Sequence, residues 1–172
     1  MKMNATFGYH HYKSPVGKLL LIRAPLGLYA LLWENDSETR VQVPENLTRT
    51  ADDPLLKETQ RQLQDYFSGK LRSFTLPLAP AGTAFQIQAW KILGGIPYGE
   101  TISYQEQAQK LGDKKKARAI GAANGRNPIS IIVPCHRVVG KNGDLTGFAG
   151  GLQTKQYLLE FERQAAYRQK AS

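Results

Sequence analysis

The chain has 172 residues, 41% of them hydrophobic, which is room for one ordinary domain or two small ones around a packed core and excludes wholesale disorder. No apolar run nears the ~20 residues of a membrane span: the longest, Leu19 to Ile22, stops at Arg23. The net charge of +9 is uneven, since residues 1–80 carry 10 Lys/Arg against 8 Asp/Glu and residues 81–172 carry 13 against 6. That excess points the second half toward a polyanion, although a solvated surface tuned for solubility accounts for the charge equally well.

Residues 1–8 lack the charged-then-apolar order of a secretory leader, so a cytoplasmic protein with no membrane partner is expected. Pro15-Val16-Gly17 marks a turn before residues 18–24, and Pro25-Leu26-Gly27 marks another before the apolar run 28–33, the pattern of a hairpin. Asp53-Pro54 then opens a helix, with Asp as N-cap and Pro in the first turn. Leu56, Thr59, Leu63, Tyr66 and Phe67 form its inward face, and Gly69 ends it. Residues 75–82, with two prolines and a glycine among small side chains, read as a linker, which sets the expected domains at 1–82 and 83–172.

Beyond the linker, Thr83 caps a helix whose face is Phe85, Ala89, Trp90 and Leu93, and Gly94-Gly95 with Pro97-Tyr98-Gly99 stops it. Ser103 and Glu106 stand in capping-box spacing at the head of a short helix with a stripe of Tyr104, Ala108 and Leu111. A basic turn, Lys114-Lys115-Lys116, leads into a second helix with Ala117, Ile120 and Gly121 inward and Asn124-Gly125 at its end. Two short helices on a tight turn make a helix-turn-helix. Ala119, Ala122 and Ala123 strip the second helix of bulk while Arg118 projects near its start, a shape suited to entering a narrow surface; close helix packing explains the small residues as well.

Cys135 is the one cysteine, which excludes a disulfide within the chain and a Cys-rich zinc site, and no metal or cofactor motif is visible. Such a cysteine is usually a small buried hydrophobe. Here Ile131-Ile132-Val133 reads as a buried strand or core segment, and Pro134 breaks ladder pairing just before the cysteine, placing it where the chain leaves the core. His136 is a base close in sequence, and Arg137 adds charge that favours a thiolate. Adjacent side chains of an extended segment diverge, so a water is the expected relay between Cys135 and His136. The orienting acid that such a histidine needs is sought among Asp144, Glu160 and Glu162.

Pro134-Cys135-His136-Arg137-Val138 resembles the active-site signature of the O6-alkylguanine–DNA alkyltransferases (methylated-DNA–protein-cysteine methyltransferases). Residues 118–124, Asn127-Pro128, residues 147–151, Phe85-Gln86 with Trp90, and Pro97-Tyr98-Gly99 resemble that family in order and spacing, over roughly residues 83–162. The resemblance implies an α+β protein of the α/β class: an N-terminal ribonuclease-H-like sheet-and-helix domain, then a mostly helical domain with a winged-helix-like helix-turn-helix. It implies an alkyl acceptor at Cys135, a base at His136 oriented by Glu162, a backbone organiser at Asn127, and a donor to the guanine at Tyr104. Arg118 would be the finger that holds the place of a flipped nucleotide. Tyr104, Ala119, Ala122, Lys115 and Lys116 would meet DNA with it, in the minor groove. Val138, Phe148, Ala149, Gly150 and Trp90 would line the substrate pocket. The implied partner is double-stranded DNA carrying O6-alkylguanine, met by a monomer with no cofactor. A cysteine at 135 sets the chain apart from the non-reactive alkyltransferase-like proteins. The competing expectations are an alkylated-DNA-binding protein without chemistry and a cysteine hydrolase using Cys135 and His136.

Overall fold

The computed structural model describes residues 6–171, so the start of the stretch inspected for a leader lies outside the described residues. The chain forms two compact units, Met1–Ala81 and Gly82–Ser172. No helix among the described residues is long and apolar enough to cross a membrane.

The first unit is built on a mixed sheet. Strands β1 (Phe7–Ser14), β2 (Gly17–Ala24) and β3 (Gly27–Leu32) form an antiparallel meander, with His11 opposite Leu20 and Leu20 opposite Leu32. A short β4 (Leu47–Arg49) adds parallel to β1, giving the order β3-β2-β1-β4. The hairpin expected over residues 18–33 is thus the second half of a three-stranded meander. The first strand escapes a hydrophobic count because His10, His11 and Lys13 interrupt it, yet Tyr12 is buried and Phe7 and Tyr9 pack on the core. One face of the sheet closes over Ile22, Ala30, Leu32 and Val41.

Helix α1 (Pro54–Phe67) is capped as its sequence dictates: Asp53 accepts from the Leu56 amide at 3.1 Å, and its other oxygen takes the Arg23 guanidinium of β2 at 2.7 Å. One side chain therefore starts the helix and ties it to the sheet. Gly69 follows with φ +81, the left-handed geometry that ends helices. The buried face is Leu56, Thr59, Gln62, Leu63 and Tyr66, with Phe67 only partly covered. Gln62 is inside because its amide bonds Thr75 in both directions, at 2.9 Å and 3.1 Å. Part of the expected linker also belongs to this unit. The Leu28 amide donates to Pro77 O and the Ala79 amide to Leu28 O, both at 2.8 Å, and a Cβ on Gly27 would meet Pro77 O at 2.7 Å. Glycine is what lets that segment lie against β3.

The second unit is mostly helical: α2 (Ala84–Gly94), β5 (Ile102–Ser103), α3 (Tyr104–Lys110), α4 (Ala117–Gly125), β6 (Val138–Val139) and α5 (Leu152–Ala171). Thr83 and Gln86 close a full capping box on α2, whereas Ser103 supplies its half of the expected box by accepting from the Glu106 amide. Ala89, Ala108, Ile120 and Ala123 pack together, so Ala123 belongs to the core and not to the bare outer face. The parallel pair β5–β6 sets Ile102 beside Val138.

Helices α2, α3 and α4 are pinned by buried polar bonds as well as by packing. Gln107 and Asn124 exchange amide hydrogen bonds of 3.0 and 2.8 Å, Gln107 also donates to Ala89 O, and the Trp90 indole donates to Ala123 O at 2.8 Å. Removing one partner of a buried pair strands the other, which costs more than the bond itself contributes. Asn124→Leu should therefore lower the unfolding free energy by about 2–3 kcal/mol, while Gln107→Leu/Asn124→Leu together should cost less than the sum of the single replacements. Urea unfolding of the four proteins checks this, and additive losses would mean the amides do not act as a pair.

Candidate active site

The segment carrying the cysteine is not the strand its aliphatic residues suggest. Ile131 has φ +72, a conformation rare for a β-branched residue, and the Ile132 amide reaches back to Ser130 O at 2.9 Å. The Cys135 amide bonds Val133 O at 2.9 Å across Pro134 (φ −84, ψ 66), a second three-residue turn. Asn127, fully buried, holds the loop from inside: its amide nitrogen donates to Val133 O at 2.8 Å, and its oxygen accepts from the Ile129 amide at 3.0 Å. The backbone-organising role expected of Asn127 has this geometry behind it. A strained turn persists where its surroundings over-determine it, and here two turns and a buried amide fix the chain just before the thiol.

Cys135, His136 and Arg137 then form a single 3-10 turn, not an extended segment. All three are buried, and Cys135 is a thiol rather than half of a disulfide. Helix α5 turns Lys155, Leu158, Leu159 and Glu162 inward, spaced three to four residues apart on one face. Glu162 meets the turn: Nε2 of His136 lies 2.6 Å from Glu162 Oε1, and Arg137 grips both carboxylate oxygens, Nε to Oε2 at 2.8 Å and Nη2 to Oε1 at 2.9 Å. Of the three acids considered, Glu162 is the one paired with His136. Arg137, expected to bias the thiol, is committed instead to Glu162 and to Ile96 O at 2.7 Å.

The charges follow from these contacts. Burial pushes the Glu162 carboxyl up, but the hydrogen bond from His136 and the hydrogen bonds and charge of Arg137 outweigh it and hold Glu162 well below the usual carboxylate range. A carboxylate only accepts, so the proton on the His136 ring belongs on Nε2. Burial lowers the His136 pKa, and the charges of Arg137 and Lys155 lower it further, against the pull of Glu162. His136 is thus a neutral imidazole whose Nδ1 is buried without a protein hydrogen-bond partner, an available lone pair.

A second cation was not foreseen. Lys155 is 1% exposed, its ammonium donates to Thr146 O at 3.0 Å, and it lies 5.9 Å from the centre of the Tyr104 ring. Burial lowers its pKa, and the charge of Cys135 pushes back, which by reciprocity favours the thiolate. Its place in the i, i+3, i+4, i+7 row of α5 was visible in the sequence, but a lysine in such a row reads as a border residue.

Tyr104 heads α3 at the rim of an open cleft of about 420 Å³ lined by Tyr104, Ala117, Arg118, Gly121, Thr146 and Gly147. The residues expected to line the substrate pocket, like Cys135, are not on the wall of this cleft. Trp90 is a core residue bonded to the end of α4, and Val138 is fully buried in β6, so neither lines this cleft. Phe148, Ala149 and Gly150 lie on the same loop as Thr146 and Gly147 but are not part of the cleft wall. Arg118, Ala119 and Ala122 are exposed on one side of α4. Lys114–Lys116 form an exposed 3-10 turn capped by Asp113, with Lys116 placed 5.8 Å from the Phe85 ring. No group of three or more potential metal ligands occurs among the described residues.

Residues 8–80 match the family model for the ribonuclease-like domain of 6-O-methylguanine DNA methyltransferase, and residues 84–164 match that for its DNA-binding domain. The chain belongs to this family. It is 47% identical to the methylated-DNA–protein-cysteine methyltransferase of Methanosarcina mazei, over 90% of this chain and 96% of that one. It is 39% identical to the constitutive enzyme of Bacillus subtilis, over 94% and 98%. Among solved structures, Mycobacterium tuberculosis OGT in complex with DNA superposes with a TM-score of 0.84 at 42% identity, covering 92% of this chain and 94% of that one.

The buried pair also sets an acid limit. Both His136 and Glu162 have folded pKa values below their ordinary 6.5 and 4.5, so the unfolded chain binds more protons and stability falls as pH drops. Unfolding free energy should begin to decline below pH 6.5, with a slope of up to about 1.4 kcal/mol per pH unit for one proton, and more steeply as pH falls from 4.5 toward about 2. His136→Gln should flatten the slope between pH 6.5 and 5 in urea titrations; an unchanged slope would mean that His136 is not the group taking up the proton.

Proposed function

We propose that this chain repairs double-stranded DNA by moving the alkyl group of O6-alkylguanine onto its own Cys135, once per molecule. The observation that carries this reading is the neutral His136, tied through Nε2 to a carboxylate that Arg137 keeps ionised, next to the chain's one cysteine. That arrangement can take a thiol proton on Nδ1 and, with the Lys155 charge, favour a thiolate. With Nε2 held by Glu162 and Nδ1 without a protein hydrogen-bond partner, a water bridges the transfer. The sulfur then attacks the alkyl carbon: a carbon–sulfur bond forms, the carbon–oxygen bond breaks, and its electron pair goes to guanine O6. Tyr104 donates its hydroxyl proton toward the guanine ring, and the proton held by His136 returns to the phenol through solvent. In net terms the thiol proton ends on guanine and the alkyl group on sulfur.

The alkyl carbon is out of reach inside a base stack, so the nucleotide must be extruded, and a lesion that pairs badly costs less to extrude. Helix α4 suits this task, with Ala119 and Ala122 allowing close approach in the minor groove and Arg118 at the cleft able to hold the vacated space. Lys115 and Lys116 add sequence-independent phosphate contacts. Mycobacterium tuberculosis OGT, similar over most of the chain, is solved in complex with DNA, which supports DNA as the partner. The protein works as a cytoplasmic monomer, and O4-methylthymine is a second substrate of the same chemistry.

Incubation with methylated duplex followed by mass measurement tests the transfer: one methyl should appear, on the peptide containing Cys135. An unmodified protein that still binds the duplex would leave a DNA-binding protein without chemistry. A methylated cysteine is a thioether, and no second cysteine is present to resolve it, so repaired guanine should plateau at one equivalent of active protein and resume only with fresh protein. A higher plateau means turnover. Arg118→Ala should slow repair of duplex by tenfold or more, an order-of-magnitude expectation, while barely changing reaction with free O6-benzylguanine, which needs no extrusion. Equal losses on both would remove the finger role.

A further inference from the structure

We propose that Thr146 is a positioning residue for alkyl transfer, fixing the Tyr104 phenol and steadying the negative charge that gathers on its oxygen as guanine leaves. This rests on the alkyl-transfer reading above and assigns a part to a side chain that the chemistry has not yet used. Thr146 Oγ1 donates to Tyr104 Oη at 2.8 Å, joining the loop before α5 to the head of α3 across 42 residues of sequence. The same residue is held from behind, since the Lys155 ammonium donates to Thr146 O at 3.0 Å. Both residues belong to the cleft wall, together with Arg118.

The direction of this bond matters. A phenol has one proton and accepting lone pairs. With the Thr146 proton filling an acceptor site on Tyr104, the phenol's own proton is left to point elsewhere, and the cleft is the open side. As that proton shifts toward the departing guanine, the phenol oxygen becomes more negative. A hydrogen bond to an ionised oxygen is roughly twice as strong as one to a neutral oxygen. The Thr146 bond is therefore worth more in the transition state than in the ground state, the condition under which an interaction raises a rate. The Lys155 charge near the Tyr104 ring acts in the same sense. Thr146 gives up no proton at any point.

The test compares Thr146→Val, which keeps the shape and removes the hydroxyl, with Thr146→Ser, which keeps the hydroxyl, each alone and combined with Tyr104→Phe. Single-turnover transfer from methylated duplex, duplex affinity and urea unfolding are measured for all. Thr146→Val should slow transfer by roughly five- to tenfold at unchanged affinity and stability, a fraction of a full acid–base contribution. Thr146→Ser should restore most of the rate, and in the Tyr104→Phe background Thr146→Val should have no further effect. Full activity in Thr146→Val, or the same loss with Tyr104 already replaced, overturns the proposal while leaving alkyl transfer intact. A wild-type protein that transfers no methyl overturns the alkyl-transfer reading and this proposal with it.

Discussion

The carboxylate of Glu162 is the constraint on which the site depends. A buried acid is expensive unless it is paired and fully hydrogen-bonded, and Arg137 meets that condition with a two-pronged grip from the very turn that carries the cysteine. Because Glu162 stays ionised, it accepts and never donates, so the His136 tautomer is decided and its second nitrogen left basic. Because Arg137 also bonds Ile96 O, the turn is anchored to the segment after α2 as well as to α5. Loss of Arg137 would thus leave an unpaired charge in the interior before it touched any reacting group.

Around that cluster the fold supplies rigidity from several directions. Asn127 and two consecutive three-residue turns fix the backbone leading into Cys135, the β5–β6 pair sets its exit beside the head of α3, and Lys155 spans the space between the thiol, the Tyr104 ring and the Thr146 loop. Each support comes from a different stretch of sequence. A nucleophile held this way loses little orientational freedom when its target arrives, which is where much of the advantage of a preorganised site lies.

What the sequence disclosed was whatever depends on near neighbours. Asp53-Pro54 and Thr83 announced helix starts because capping is local, and the paired short helices with their alanine-rich second member were readable from spacing alone. Cys135 with His136 as base and Arg118 at the start of the bare helix were read from the residues themselves, whereas the roles of Asn127 and Tyr104 came from resemblance; the structure puts His136 against Glu162, Asn127 in the loop before Cys135, and Tyr104 and Arg118 on one cleft. What stayed hidden was decided by distant partners. Gln107 and Lys155 are polar residues whose burial makes sense only beside Asn124 and Thr146. β1 is a strand because its neighbours complete its ladder, and Ile131 abandons strand geometry because Asn127 bends the loop around it. Trp90, expected in the pocket, also has a buried indole nitrogen bonded to the backbone at the end of α4, a partner that is distant in sequence.

The shallow burial of Cys135 has a further consequence. At 9% exposure Cys135 is close to the surface but almost closed to solvent. Oxidation to sulfenic and higher acids follows access as well as thiolate character, and burial restricts the first. For a reactant that is spent in a single event, every molecule lost to peroxide is a repair that never happens. Covering Cys135 therefore bears on how long the protein survives peroxide, a quantity separate from its speed on DNA.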